Sequence, residues 1–462
     1  MHPIVLILLS LRYAHGLSSF RENDVLKYDN SAKNNASEIT EQWIEQPIDH
    51  FVARNKFWKM RYFKRLDLWK PNGPIYLYIN GEWTASFRSI QSDRFLTCQL
   101  ARDTNGALFS TEHRYYGASL PVYPVTTSWL KFLSAKQALA DLAELIKHIK
   151  STDEFKSSKV VVVGGSYAGN LAAWMRVLYP DLVDAAVSSS GPVLAKKDFY
   201  EYLETVNDVY EKYGSSDCLN RIRRQFSHYS ELIKSSGGIE TLKREMNICD
   251  ETDMFVVENQ QLFFLENFSV FQSKAQYGTP ETIRKHCQEL SENNWTHFGV
   301  NYKDGSYCND YNFMALIEGE KSDKKSAMFF WLYQSCTEFG YFQTTTSNKQ
   351  PFGNGTPVDL YIKLCQGIYG EDFNEERVND GVTESNVIYG GLTPNVTNVI
   401  FTHGDMDPWH RLGVLTNLSE TVLVRMTNGT SHCDILSQSR GEPSALMDDR
   451  EYVKTLIKKW IA

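Results

Sequence analysis

The chain contains no cluster of Lys and Arg, and its 48 basic residues are outnumbered by 56 acidic ones, for a formal net charge of −8. A nucleic-acid surface needs clustered cations to neutralise phosphates, so no nucleic-acid partner is expected. No Cys-x-x-Cys occurs, so the usual zinc spacings are missing. No metal and no cofactor is expected. The apolar run that opens at Pro3 and continues to Leu9 is too short to cross a bilayer, and no later segment reads as a membrane span. There is no internal repeat and no low-complexity tract. What is present is 42% hydrophobic and 13% aromatic residues over 462 positions, which supports a substantial core and argues against disorder.

The first residues read as a processing signal. After the apolar run, Ala14-His15-Gly16 places small residues where a signal peptidase reads, so residues 1–16 are expected to be a cleaved signal peptide, although its start has no Lys or Arg. The C-terminus carries no retention or lipid signal. Seven Asn-x-Ser/Thr sequons, at Asn35, Asn267, Asn294, Asn354, Asn395, Asn417 and Asn428, point to glycosylation in the secretory pathway. Pro357 follows the sequon at Asn354. An even count of eight cysteines reads as disulfides in an oxidising compartment. The expected location is secreted or lysosomal.

Along the chain, short buried-strand patterns alternate with helical ones. Ile75–Ile79, Ala107–Phe109, Val160–Val163 and Ala185–Ser188 read as strands, and the four consecutive valines fit a parallel strand buried on both faces. Leu139–Ile149 and Leu171–Leu178 have helical spacing, the second stopped by Pro180. Strand, helix, strand in this order implies a parallel sheet with covered faces. From about Lys196 to Gly390 helical patterns dominate, and six of the eight cysteines lie there. Strands resume at Val399–Thr402 and Thr421–Val424, and a helix over Tyr452–Ile461 closes the chain. The reading is an α/β-hydrolase sheet in two parts, 17–195 and 391–462, with a disulfide-stapled helical cap inserted over 196–390.

The sharpest motif is Val160-Val161-Val162-Val163-Gly164-Gly165-Ser166-Tyr167-Ala168-Gly169. A nucleophilic serine on a tight strand-to-helix turn needs small neighbours two positions before and after it, and Gly164 and Ala168 meet that need. A serine is a weak nucleophile without a base, and the base needs an orienting carboxylate. In this fold both follow later strands, acid before histidine. Asp405 and Asp407 follow the Val399–Thr402 strand, and His432 follows the Thr421–Val424 strand. An oxyanion hole would use the N–H of Tyr167 and a second N–H at Gly81 or Glu82.

These residues sit among others that carry a resemblance. Gln46-Pro47-Ile48-Asp49-His50-Phe51, Glu112-His113-Arg114-Tyr115-Tyr116-Gly117, Gln137-Ala138-Leu139-Ala140-Asp141, Ser189-Ser190-Gly191-Pro192-Val193, Cys336-Thr337-Glu338 and Asp407-Pro408-Trp409 run through nearly the whole chain. With them the chain resembles the prolyl-preferring serine exopeptidases, the family that includes lysosomal Pro-X carboxypeptidase, dipeptidyl peptidase II and thymus-specific serine protease. Ser166-Tyr167-Ala168-Gly169 with Leu171-Ala172-Ala173-Trp174 looks most like the thymus-specific branch. The resemblance implies that the acid before Pro-Trp, Asp407, and His432 complete a triad with Ser166. It also implies the pairs Cys218–Cys287, Cys249–Cys308 and Cys336–Cys365, leaving Cys98 and Cys433 bonded to each other or free. Two positions depart from the family pattern: Trp83 replaces a Gly after Glu82, and Cys433 replaces the second His of carboxypeptidase-type members.

The expected activity is therefore serine-type hydrolysis of peptide bonds near a chain end, after Pro or a small residue, through an acyl-enzyme. Trp409 and Trp83 are candidate pocket walls. A lipase or esterase on the same fold, and a catalytically inactive binding protein, are the alternatives. Peptides are the expected partners, and a homodimer is left open.

Overall fold

The computed structural model describes residues 38–52, 55–292 and 308–462. The expected signal peptide and the sequons at Asn35 and Asn294 lie outside the described residues. Eight strands form one sheet in the spatial order β1-β2-β4-β3-β5-β6-β9-β10. They are β1 (Ile39–Pro47), β2 (Phe57–Arg65), β3 (Ile75–Tyr78), β4 (Ala107–Thr111), β5 (Val160–Gly165), β6 (Ala185–Ser189), β9 (Val399–Gly404) and β10 (Val422–Thr427). The remaining two, β7 (Lys196–Asp198) and β8 (Gly340–Phe342), pair with each other in parallel. β2 runs antiparallel to β1 and β4, and every other neighbour in the main sheet is parallel.

The valine run explains the centre of this sheet. Val160 and Val162 enter the core on one face, and Val161 and Val163 enter the core on the other. All four are fully buried, as a period-2 strand covered on both sides requires. Helices α2 (Ala135–Lys150) and α3 (Tyr167–Leu178) cover the first face, while α1 (Leu96–Thr104) and α13 (Ser444–Ile461) cover the second. α2 starts cleanly because the Ser134 side chain accepts the Gln137 N–H. The closing helix begins at Ser444, eight residues before the expected start at Tyr452, because Leu446 already packs into the core.

The sequence reading gave no strand to β1 or β2. Their burial alternates with charged residues, and the antiparallel ladder from Ile39↔Arg65 to Pro47↔Phe57 is a long-range pairing with weak local patterning. Between β6 and β9 lie nine α-helices among the described residues: α4 (Glu201–Tyr213), α5 (Ser216–Leu232), α6 (Ser236–Glu245), α7 (Val257–Tyr277), α8 (Pro280–Glu292), α9 (Phe313–Ser322), α10 (Ala327–Gln334), α11 (Val358–Tyr369) and α12 (Glu375–Tyr389). The disulfides Cys218–Cys287, Cys249–Cys308 and Cys336–Cys365 all fall in this segment and match the expected pairs. Cys98 and Cys433 are both free.

Candidate active site

Ser166 sits between β5 and α3 at φ 57° and ψ −133°, a conformation side chains avoid and one that the strand-to-helix turn imposes. Its small neighbours are required by contact. A Cβ on Gly164 would lie 2.1 Å from the Ala168 carbonyl oxygen, and one on Gly165 would lie 2.8 Å from Cys433 Sγ. The Ser166 N–H donates to the Ser189 carbonyl at 2.9 Å, and its own carbonyl accepts from Gly169 at 2.8 Å. The turn is thus pinned to β6, and the serine is left half-buried rather than sealed in.

Asp407 follows β9 and His432 follows β10, and the fold brings them together. His432 Nδ1 lies 2.9 Å from Asp407 Oδ2, with the aspartate side chain fully buried. The pair is at ion-pair distance, but the atoms satisfy no aligned hydrogen bond. Long or poorly aligned contacts of this kind are common before a substrate is bound. Burial works against a charged His432 ring, but Asp407 and Cys433 outweigh it and hold the ring's pKa well above the ordinary value. Burial likewise opposes an ionised Asp407, yet His432 and the Ser190 hydroxyl keep its carboxyl below the usual range. Ser190 Oγ also accepts the Cys433 N–H at 2.9 Å, so one hydroxyl ties the aspartate to the residue after the histidine.

The His432 main chain is held from the helical insertion. Its N–H donates to the Gln276 carbonyl at 2.8 Å, near the end of α7. Its ring meets Tyr277 edge-on, 5.9 Å between centroids. Asp405, the other acid after β9, does not face the histidine. It accepts from Lys212 Nζ and Tyr213 OH of α4, both at 2.7 Å, and from the Gly429 N–H at 2.6 Å.

A polar network supports the turn from below. Tyr167 OH lies 3.0 Å from His113 Nε2 and accepts from Gln334 Nε2 at 2.9 Å. His113 Nδ1 is 2.7 Å from the Arg114 carbonyl, so it carries the proton and Nε2 accepts from Tyr167. Burial pushes His113 down to about 4, which keeps that ring neutral. Arg114 in turn pairs with Asp141 through two contacts, 2.6 and 2.8 Å. Glu112 accepts from Arg61, Ala85, Ala118 and Ser119. Glu112-His113-Arg114 is therefore a structural loop beneath the site.

A cavity opens over Ser166, and Tyr202, Trp331, Tyr341, Phe342, Tyr361 and Trp409 form most of its aromatic wall. Trp409 lines it. Trp83 does not: Glu82 takes the inward position, and the next residue is left half-buried outside the wall. Gly81 packs on the start of α3, where a Cβ would stand 3.4 Å from the Ala168 nitrogen. The first N–H groups of a helix have no intrahelical acceptor, and Tyr167 is the first residue of α3. Among the described residues, the one tight group of metal-ligand types is Cys249, Glu251 and Cys308, and its two sulfurs are joined as a disulfide.

One glycosylation expectation is corrected. Asn267 is 3% exposed within α7, and its amide donates to the Phe263 carbonyl at 2.8 Å, so the folded chain leaves no room for a glycan there. Asn354, Asn395, Asn417 and Asn428 are exposed. The sequence reading missed Ser190 as a bridge, Gln276 as the anchor of the histidine, and the inward Glu82 side chain. Ser190 lay within a recognised motif, but nothing near Gln276 marks it, since its partner is 156 positions further along the chain.

The serine carboxypeptidase S28 family profile matches residues 46–453. A Caenorhabditis elegans protein provisionally designated a serine protease is 32% identical, covering 92% of this chain and 89% of its own length. Human thymus-specific serine protease is 29% identical over 91% of this chain and 86% of that one. Mouse lysosomal Pro-X carboxypeptidase is 26% identical over 91% and 88%. Among solved structures, a Mycobacterium smegmatis proline iminopeptidase gives a TM-score of 0.39 at 10% identity, covering 91% of this chain and 98% of that one, too distant to argue from. With a mostly parallel sheet, three disulfides and a family match across most of its length, this chain belongs to the serine carboxypeptidase S28 family of serine peptidases.

Proposed function

We propose that the protein is a serine exopeptidase in which Ser166, His432 and Asp407 act as nucleophile, base and orienting acid. The observation that carries this reading is a strained, half-buried Ser166 whose neighbour Gly165 packs against Cys433, the residue after a His432 that lies 2.9 Å from Asp407, each of the three on a turn after its own parallel strand. Ser166 Oγ attacks the scissile carbonyl carbon while His432 takes its proton. The proton then passes to the leaving amine as the C–N bond breaks, leaving an acyl-enzyme that water hydrolyses by the same route. The N–H groups of Tyr167 and of Gly81 or Glu82 stabilise the oxyanion, each contributing roughly 3–4 kcal/mol.

The aromatic wall supports a preference for Pro or another compact residue before the cut, since flat rings hold a rigid apolar ring by stacking. The helices of 196–390 act as a cap that restricts the site to chain ends. The disulfides and the exposed sequons support work in the secretory pathway, as a secreted or lysosomal enzyme. No helix among the described residues is long and apolar enough to cross a membrane. The test is mass spectrometry of a defined peptide mixture incubated with the wild type and with Ser166→Ala. Loss of terminal residues by the wild type alone is the expected result. Identical products from the two proteins, or none from either, would sink the reading.

A further inference from the structure

Among the described residues, the cavity wall beside Ser166 contains a single carboxyl group, Glu82, and no Lys, Arg or His side chain. Glu82 is 7% exposed, and its Oε2 is buried without a hydrogen-bond partner. A buried carboxyl oxygen left unpaired is costly, and in a cavity that opens over a candidate nucleophile a ligand can supply the missing partner. A chain end brings one of two charges, an ammonium or a carboxylate. The described wall residues offer a carboxylate neutral donors, while the charged His432 ring that faces Glu82 is paired with Asp407.

We propose that Glu82, as a neutral carboxylic acid, donates a hydrogen bond to the C-terminal carboxylate of the substrate beside Ser166. The proposal rests on the reading of Ser166 as the nucleophile. An O–H to carboxylate hydrogen bond is short and roughly twice as strong as a neutral one. Burial favours the neutral acid and pushes Glu82 up to about 7, with a charged His432 acting in the opposite direction. The titratable groups facing Glu82 are His432, on the loop after β10, and the Tyr116 phenol, whose own pKa burial and Glu82 raise further. Below that pKa the acid donates; above it, a carboxylate faces a carboxylate and binding fails. Glu82 thereby sets which peptide end the enzyme accepts, by chemistry that a mildly acidic compartment keeps switched on.

The experiment measures binding by calorimetry to the full-length Ser166→Ala protein, so that turnover does not intervene. The probes are N-acetyl-Ala-Pro-Phe, its C-terminal amide, and Ala-Pro-amide with a free amine. Between about pH 5 and about pH 8, affinity for the carboxylate-ended probe is expected to fall at least about tenfold, while the amide-ended probe shows no such change. Glu82→Gln keeps a neutral donor and should bind the carboxylate-ended probe with little pH dependence. Glu82→Ala should lose the preference for the carboxylate over the amide. Equal binding of acid and amide by the Ser166→Ala protein would overturn the proposal. So would an undiminished pH dependence in Glu82→Gln, which would assign it to His432. Tighter binding of the free-amine probe as pH rises would overturn it in favour of an ionised Glu82 holding an ammonium. Hydrolysis of N-acetyl-Ala-Pro-Phe by the wild type, run alongside, tests the Ser166 reading separately: no hydrolysis with intact carboxylate-selective binding would overturn that reading and leave Glu82 as a binding residue.

Discussion

At the scale of single residues, the site depends on positions where one atom too many has nowhere to go. Gly164 faces backbone, and backbone cannot swing aside as a flexible side chain can. Gly164→Ala is therefore expected to lower stability by about 3 kcal/mol in a denaturant melt and to remove activity with it. The role proposed for Asp407 is one of charge and orientation instead. Asp407→Asn should leave the fold intact and lower kcat/KM by about 10⁴-fold, because the amide favours the wrong imidazole tautomer. The pH profile carries a second signature. The proposed base His432 must be neutral to act, and its ring holds its proton above the ordinary imidazole pKa in the free enzyme, so kcat/KM should rise with pH through a value higher than that of a free imidazole. Loss of the Asp407 charge moves that limb to lower pH, which a pH–rate series on the weakened variant would detect.

At the scale of elements, the histidine loop is held by its neighbours as much as by its own strand. Asp405 joins the loop at Gly429 to Lys212 and Tyr213 of α4. Gln276 of α7 accepts the His432 N–H. The helical insertion therefore holds the His432 loop in place. Asp405→Ala removes three hydrogen bonds to a partly buried carboxylate and should cost about 2 kcal/mol of stability. Because the loop loses its tether, kcat should fall more than KM rises, which steady-state kinetics would resolve. Lys212→Met removes only the exposed partner and should change stability by less than about 1 kcal/mol. An equal effect of the two substitutions would place the tether in the Lys212 salt bridge alone.

At the scale of the whole molecule, buried titratable groups set a stability optimum. Burial raises Glu82 to about 7, Glu338 to about 8, and Glu266 well above its ordinary value. The folded chain then holds protons that the unfolded chain releases above pH 4.5, so these groups lose stabilising effect as pH rises through the folded values. His432 has the same sign, since its folded pKa is raised. Burial lowers His286 to about 3 and His113 and His403 to about 4, so these rings favour unfolding on the acid side, where the unfolded chain binds their protons. The two sets oppose each other, and stability should peak at about pH 6 and decline on both sides, most clearly toward pH 8. Urea midpoints across that range would check it. The disulfides add a separate contribution: Cys218–Cys287 closes a loop of 69 residues, and replacing both cysteines with Ala should cost about 4 kcal/mol.

The sequence by itself determined the parts of this protein that depend on local chain geometry. Four valines, two glycines and a serine specify a buried strand and a strained turn because neighbouring atoms along the chain leave no alternative. Strand positions placed Asp405, Asp407 and His432 after the last two parallel strands, and the family pattern singled out Asp407 and supplied the cysteine pairs. Tertiary structure alone decided the rest. Glu82 rather than Trp83 faces the cavity because packing of the Gly81 loop on α3 selects which residue turns inward. Asn267 is lost as a glycan site because its helix buries it, and a sequon carries no information about burial. β1 and β2 went unread because their pairing is long-range and their exposed faces are charged. Gln276 holds His432 from a helix far away in sequence, a contact that exists only once the insertion has docked on the sheet.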